Sequence, residues 1–211
     1  MVEFCLSVAA SQPVPGNTFV NRGIIAGYRM TVYTIGHSTR PIEEFIDLLQ
    51  RNGVKTLVDI RTIPKSRHNP QYWHDALAKS LGEVGIAYQR LPGLGGRRKT
   101  SPASINTAWR NMSFRGYADH MQTKEFQEAL GALIRIAGDS PTAIMCSEAV
   151  PWRCHRSLVG DALLVRGIDV VDIMSATSNR PEQITPWAHV DGTTITYPGT
   201  GDEAGDAEPH R

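Results

Sequence analysis

The sequence predicts a three-layer α/β fold, in which a mostly parallel sheet carries helices on both faces. Two observations lead there. Short apolar, β-branched runs alternate along the chain with longer segments whose apolar residues recur at helical spacing, and a βαβα order of this kind implies parallel strands joined by helical crossovers. The chemically interesting polar residues also gather in three short loops that directly follow strand-like runs, at 36–39, 59–70 and 146–156. Ligands of open α/β sheets sit at that edge, the C-terminal ends of the strands.

Taken in order, residues 1–29 show no clean period and include Pro13, Pro15, Gly16 and Asn17, so they read as a poorly ordered extension. Met30 stands directly before the first strand and is an alternative start. Thr31–Ile35 is that strand, and it leads into Gly36-His37-Ser38-Thr39. A helix follows from Pro41 to Asn52, with Ile42, Phe45, Ile46 and Leu49 on one face, Pro41 in its first turn and Gly53 past its end. Thr56–Ile60 is a second strand. Its loop holds Asp59, Arg61, Pro64, Ser66, Arg67, His68, Asn69 and Pro70. Trp73–Val84 reads as a helix and Ile86–Leu91 as a strand. A flexible basic loop, 92–99, comes next.

Tyr117–Met121 reads as a short helix. A longer one runs from Thr123, a candidate cap, to Ala137, with Phe126, Leu130, Leu133 and Ile134 inward. The strand Thr142–Cys146, the loop 146–156, a helix over 155–166 ended by Gly167, and the strand Ile168–Met174 complete a domain expected to span 30–176. In the C-terminal extension, 177–211, Thr193–Tyr197 is a candidate edge strand. The Gly/Asp/Glu-rich segment from Pro198 to Arg211 is an expected disordered tail.

The 211 residues are 41% hydrophobic and 20% charged, enough for one packed domain with flanking segments. A formal net charge of +1 gives no overall attraction to nucleic acid or acidic membranes, so such binding would need a local patch. No apolar run approaches the ~18–20 residues of a membrane span. Three cysteines, two of them close together in a loop, argue against a disulfide framework and for a reducing, cytoplasmic setting. Glu3 stands where a signal peptide would carry basic residues.

The segment from Cys146 to Arg156 holds the densest chemistry: two cysteines, an acid, a histidine and an arginine between a buried strand and a helix N-terminus. A helix start favours anions and thiolates, so Cys146 is a candidate nucleophile or redox thiol, as against a small buried hydrophobe. Cys154 is a candidate resolving thiol. Cys146, Cys154 and either His155 or His37 also form a candidate set of metal ligands, although the spacing fits no standard zinc pattern. His155 is otherwise a helix-cap residue. Glu148 and Asp59 are candidate acid–base groups, with Asp59 alternatively an ion-pair partner of Arg61 or Arg156. Gly36, His37, Ser38 and Thr39 could cradle an anion, or Ser38 and Thr39 could simply cap a helix. Arg61, Arg156 and Arg97 are candidate anion-binding residues. Arg97 belongs to a Gly95-Gly96-Arg97-Arg98-Lys99 turn that could instead be a solvated basic loop.

Thr34-Ile-Gly-His-Ser-Thr39, Asp59-Ile-Arg61 with Pro64 and Ser66, Leu94-Gly-Gly96, Phe114-Arg-Gly-Tyr-Ala118 with Met121, and above all Cys146-x-Glu148-x-x-Pro151-x-x-Cys154-His155-Arg156 resemble the DUF488 family of uncharacterised proteins. The resemblance runs from about Val32 to Met174, and weakly on to Tyr197. It implies a histidine ahead of the isoleucine in the last strand, where this chain has Asp172-Ile173. More distantly, Leu57-Val-Asp59-Ile-Arg61, and the strand, cysteine loop and helix from Ala143 onward, resemble rhodanese-like domains. The loop here is longer and carries Pro151 and a second cysteine. The resulting expectation is a thiol-dependent enzyme for a small anionic or nucleotide-like ligand, its cofactor unassigned. The rival expectations are a metal-binding protein and a nucleotide- or nucleic-acid-binding module.

Overall fold

The computed structural model describes residues 24–25, 28–65 and 68–199. Most of the expected N-terminal extension and C-terminal tail, with Ser66 and Arg67, lies outside the described residues. Ahead of the core, β1 (Ile24–Ile25) and β2 (Tyr28–Arg29) pair as a short antiparallel ribbon. The core then runs β3 (Thr31–Gly36), α1 (Ile42–Arg51), β4 (Thr56–Asp59), α2 (His74–Glu83) and β5 (Ala87–Arg90). It continues with α3 (Met112–His120), α4 (Lys124–Asp139), β6 (Thr142–Cys146), α5 (Arg156–Leu164), β7 (Asp169–Ser175) and β8 (Ser178–Pro181). A hairpin of β9 (His189–Asp191) and β10 (Thr194–Thr196) follows.

The main sheet has the order β5-β4-β6-β3-β7-β8, parallel throughout except for β8, which runs antiparallel to β7. Strand side chains alternate between faces, and here each face is covered. Ile35, Leu57, Ala143, Met145 and Ile173 pack against Phe45, Leu48 and Leu49 of α1 and Leu77 and Leu81 of α2. Val32, Val58, Ile144 and Val170 pack on the other face against α3, α4 and α5 through Tyr117, Phe126, Leu133, Leu158 and Leu163. This is the three-layer α/β sandwich. Every residue of β4 and β6 is buried, as expected of central parallel strands with no polar face.

Local chemistry accounts for the element ends. The Thr123 hydroxyl accepts the Phe126 amide at 3.3 Å and starts α4. Asn111 caps α3 in the same manner through the Ser113 amide at 2.9 Å. That cap starts α3 at Met112, ahead of the predicted Tyr117, because Gly116 and the polar residues around it hide its apolar period. The candidate edge strand near Thr193 falls within the β9–β10 hairpin rather than in the main sheet. The edges of the main sheet are β5 and β8, and β8 is four exposed residues, Ser178-Asn-Arg-Pro181, with no apolar signal to read. Tyr197 returns to the core fully buried, donating its hydroxyl to Asp161 at 2.7 Å. No helix among the described residues is long and apolar enough to cross a membrane.

From β3 the chain steps one way across the sheet to β4 and β5. It then returns to insert β6 between β4 and β3, and steps the other way to β7. The C-terminal ends of β4, β6 and β3 therefore lie side by side. The three polar loops meet there, at the point where the winding direction changes.

Candidate functional site

The loop after β6 is held by its neighbours' backbones. The His37 amide donates to the Cys146 carbonyl and the Ser38 amide to the Ser147 carbonyl, each at 3.0 Å. Gly36 pairs with Cys146 in the sheet register. A Cβ on Gly36 would collide with the Glu148 carbonyl, so glycine is what allows the loop to cross so close to β3. Arg156, the first residue of α5, is fully buried and turns its guanidinium back under the loop. It donates to the Glu148 carbonyl at 2.7 Å and to the Ala149 carbonyl at 3.5 Å. The buried carboxyl groups of Asp172 and Glu182 stand near it, and burial pushes both above the usual carboxylate range.

This loop geometry brings the side chains of Cys146, Cys154 and His155 to one point. His155 Nδ1 lies 3.9 Å from Cys146 Sγ and 3.6 Å from Cys154 Sγ, and the three atoms all fall within 4.8 Å of one another. Both cysteines are free and buried. The Cys154 thiol beside Cys146 holds it well below the ordinary thiol range, against the cost of burial and with help from His155 and the Arg156 charge. Cys154 is pushed the opposite way, by burial and by the neighbouring Cys146. The pair thus shares its protons unequally, with Cys146 the sulfur that ionises first.

A cavity of about 390 Å³ opens over Cys146, Cys154 and His155. Its wall carries Arg61, Lys65, Arg97 and Arg153, against one carboxylate, Glu148, with Thr62, Ser113 and Ser147 as neutral polar groups and Ile63 and Phe114 as apolar ones. Among the described residues the lining thus carries four cationic side chains, one of them (Arg61) paired to Asp59, and one acid, an excess of positive charge. The Gly95-Gly96 turn lies flat against it. A Cβ on Gly96 would collide with the His155 ring, so the basic loop forms a wall of the site. Its arginines divide: Arg97 lines the cavity, while Arg98 folds back on the Gly95, Pro92 and Gly93 carbonyls and on Glu125.

Of the sequence-derived residues, Cys146, Glu148, Cys154, His155, His37, Arg61 and Arg97 line this cavity. Others serve elsewhere. Asp59 is fully buried and does not face the cavity. It holds Arg61 through both oxygens, at 2.9 Å and 2.7 Å, and accepts the Tyr88 hydroxyl at 2.7 Å. It is an ion-pair partner rather than a proton carrier. At the expected anion cradle, Gly36–Thr39, the amides of His37 and Ser38 are already spent on the cysteine loop. Arg156 binds loop carbonyls instead of a ligand.

His37 is not in the metal-ligand set, since both ring nitrogens are occupied. Arg61 can only donate, so Nε2 accepts from it at 3.2 Å, and Nδ1 then carries the proton it gives to the Ser38 carbonyl at 2.8 Å. Burial, with the Arg61 charge acting in the same direction, lowers the His37 pKa to about 4. Asp172, at the position where the resemblance implies a histidine, lies inside the sandwich and accepts from the Thr34 hydroxyl at 2.7 Å. Lys65 and Arg153 were not singled out from sequence. Arg153 lies inside the cysteine motif and could have been, whereas Lys65 is one lysine in a loop with no pattern.

Residues 41–163, more than half of the chain, match the family described as domain of unknown function DUF488. No curated protein and no solved structure matches the chain.

Proposed function

The chain belongs to the DUF488 family, whose description names no reaction, and from that premise we propose that it is a thiol-dependent enzyme acting on a small anionic substrate in a reducing, cytoplasmic setting. One observation carries the reading: Cys146 and His155 meet at the floor of a cavity whose wall holds Arg61, Lys65, Arg97 and Arg153. The cations hold the anion over the sulfur. His155 takes the Cys146 proton as the nucleophile forms. Cys146 Sγ bonds to the electrophilic atom while the bond to the leaving group breaks. The leaving group departs with the electron pair and receives the proton back from His155. Glu148, on the same wall, then takes a proton from a water whose oxygen bonds to the group as the group's bond to Cys146 Sγ breaks, and that proton returns to the sulfur to restore the thiol. Cys154 stays beside Cys146 and stabilises the thiolate.

Alkylation tests this without knowledge of the substrate. Iodoacetate is an anion and iodoacetamide a neutral analogue of it. In the native chain, peptide mapping should find Cys146 as the fastest-reacting cysteine, with iodoacetate favoured relative to its rate on a free thiol. Arg97→Ala and Arg153→Ala should each erode that preference. A Cys146 that stays unmodified in the folded chain, or one without anion preference, would sink the reading.

A further inference from the structure

We propose that Cys146, Cys154 and His155 form a zinc(II) site that, when filled, takes Cys146 out of action as a nucleophile. The inference rests on the nucleophile reading and adds a form of control over it. Tetrahedral zinc with sulfur ligands at about 2.3 Å and imidazole nitrogen at about 2.0–2.1 Å requires sulfur–nitrogen edges near 3.6 Å and a sulfur–sulfur edge near 3.8 Å. The two sulfur–nitrogen separations here are 3.6 Å and 3.9 Å, and no pair among the three atoms exceeds 4.8 Å. Small side-chain rotations therefore complete three corners of the tetrahedron.

The donor set suits a borderline-soft divalent ion rather than a hard one. Two thiolates neutralise the dication, so the filled site stays neutral beside Arg61 and Arg153 and carries no charge penalty under the cationic wall. Ligation through Nδ1 requires the proton of a neutral imidazole to sit on Nε2. That nitrogen is buried and has no hydrogen-bond partner among the described residues, so no bond has to be broken to place the proton there. The fourth corner faces the cavity, where water or an anion completes the shell. Zinc on Sγ occupies the lone pair that would attack a substrate, so metal and electrophile compete for one sulfur.

The full chain, stripped with a chelator under reducing conditions, would be titrated with zinc against a chromophoric competitor, and in parallel with cobalt(II) as a spectroscopic probe. The expected result is one equivalent bound, tetrahedral cobalt–thiolate absorption that is lost in Cys146→Ser and in Cys154→Ser, and Cys146 alkylation blocked by zinc and restored by chelator. The blocking experiment uses the unmodified chain, so it stands even where a variant folds poorly. No binding by a chain whose Cys146 alkylates rapidly would overturn the zinc site and leave the nucleophile intact. Stoichiometric zinc on a chain whose metal-free Cys146 is inert would support the site and overturn the nucleophile.

Discussion

At the scale of single residues, the site is a matter of which polar groups are already committed. Asp59 and Arg61 illustrate this. Both are buried, and the carboxylate is consumed by the arginine and by Tyr88, which aims the remaining guanidinium nitrogen at His37 and the cavity. Asp59 thus positions Arg61. Removing one charge of a buried pair strands the other, at about 3–5 kcal/mol. Asp59→Asn should lower stability by that order in urea unfolding and weaken anion selectivity at Cys146 as Arg61 loses its aim. Unchanged stability would show that the pair is not sealed from water.

At the scale of elements, the ends of helices and strands determine what reaches the cavity. The same kind of side-chain cap starts α3 and α4, but only α3 feeds the site, through Ser113 and Phe114 in its first turn. Thr123, which caps α4, is not among the residues that line the cavity. Thr123→Ala should therefore cost about 1 kcal/mol in thermal or urea unfolding while leaving the Cys146 alkylation rate where it was. A changed rate would mean that the α4 cap transmits to the cysteine loop. α5 works differently. Its first residue, Arg156, turns under the loop that precedes it, so the helix start and the cysteine loop form one unit.

At the scale of the whole molecule, buried ionisable groups tie stability to pH. His37 is neutral in the fold, with its pKa lowered to about 4 from 6.5. Between those values the unfolded chain takes up a proton that the folded chain refuses, so its contribution is fully present above pH 6.5 and lost as pH falls toward 4. The difference amounts to about 3 kcal/mol for this one residue at 1.36 kcal/mol per unit. Urea unfolding from pH 7 down to pH 4 should show the loss, and His37→Gln should flatten the profile in that window. An equally steep profile in the variant would assign the dependence to other groups.

The same scale separates what the chain announces from what the fold decides. The layers were legible because periodicity is a local property. Buried runs such as Thr142–Cys146 and the apolar stripe of α4 follow directly from where water is excluded. The cysteine motif was legible because its residues are close in sequence. The edge strand β8, four exposed residues, carried no such signal and exists because β7 offers it a partner. Likewise, sequence named the polar groups of the 36–39 and 59–70 loops but could not say which would be free. Hydrogen bonding is exclusive: an amide given to Cys146 O, or a carboxylate given to Arg61, cannot also serve a ligand. The sequence by itself determined the α/β layers and the grouping of the two cysteines with His155. Only the tertiary structure decided that Asp59, Arg156 and the His37 and Ser38 amides hold the cysteine loop and its neighbours while Lys65, Arg97 and Arg153 line the cavity, because those partners come from segments far apart in the chain.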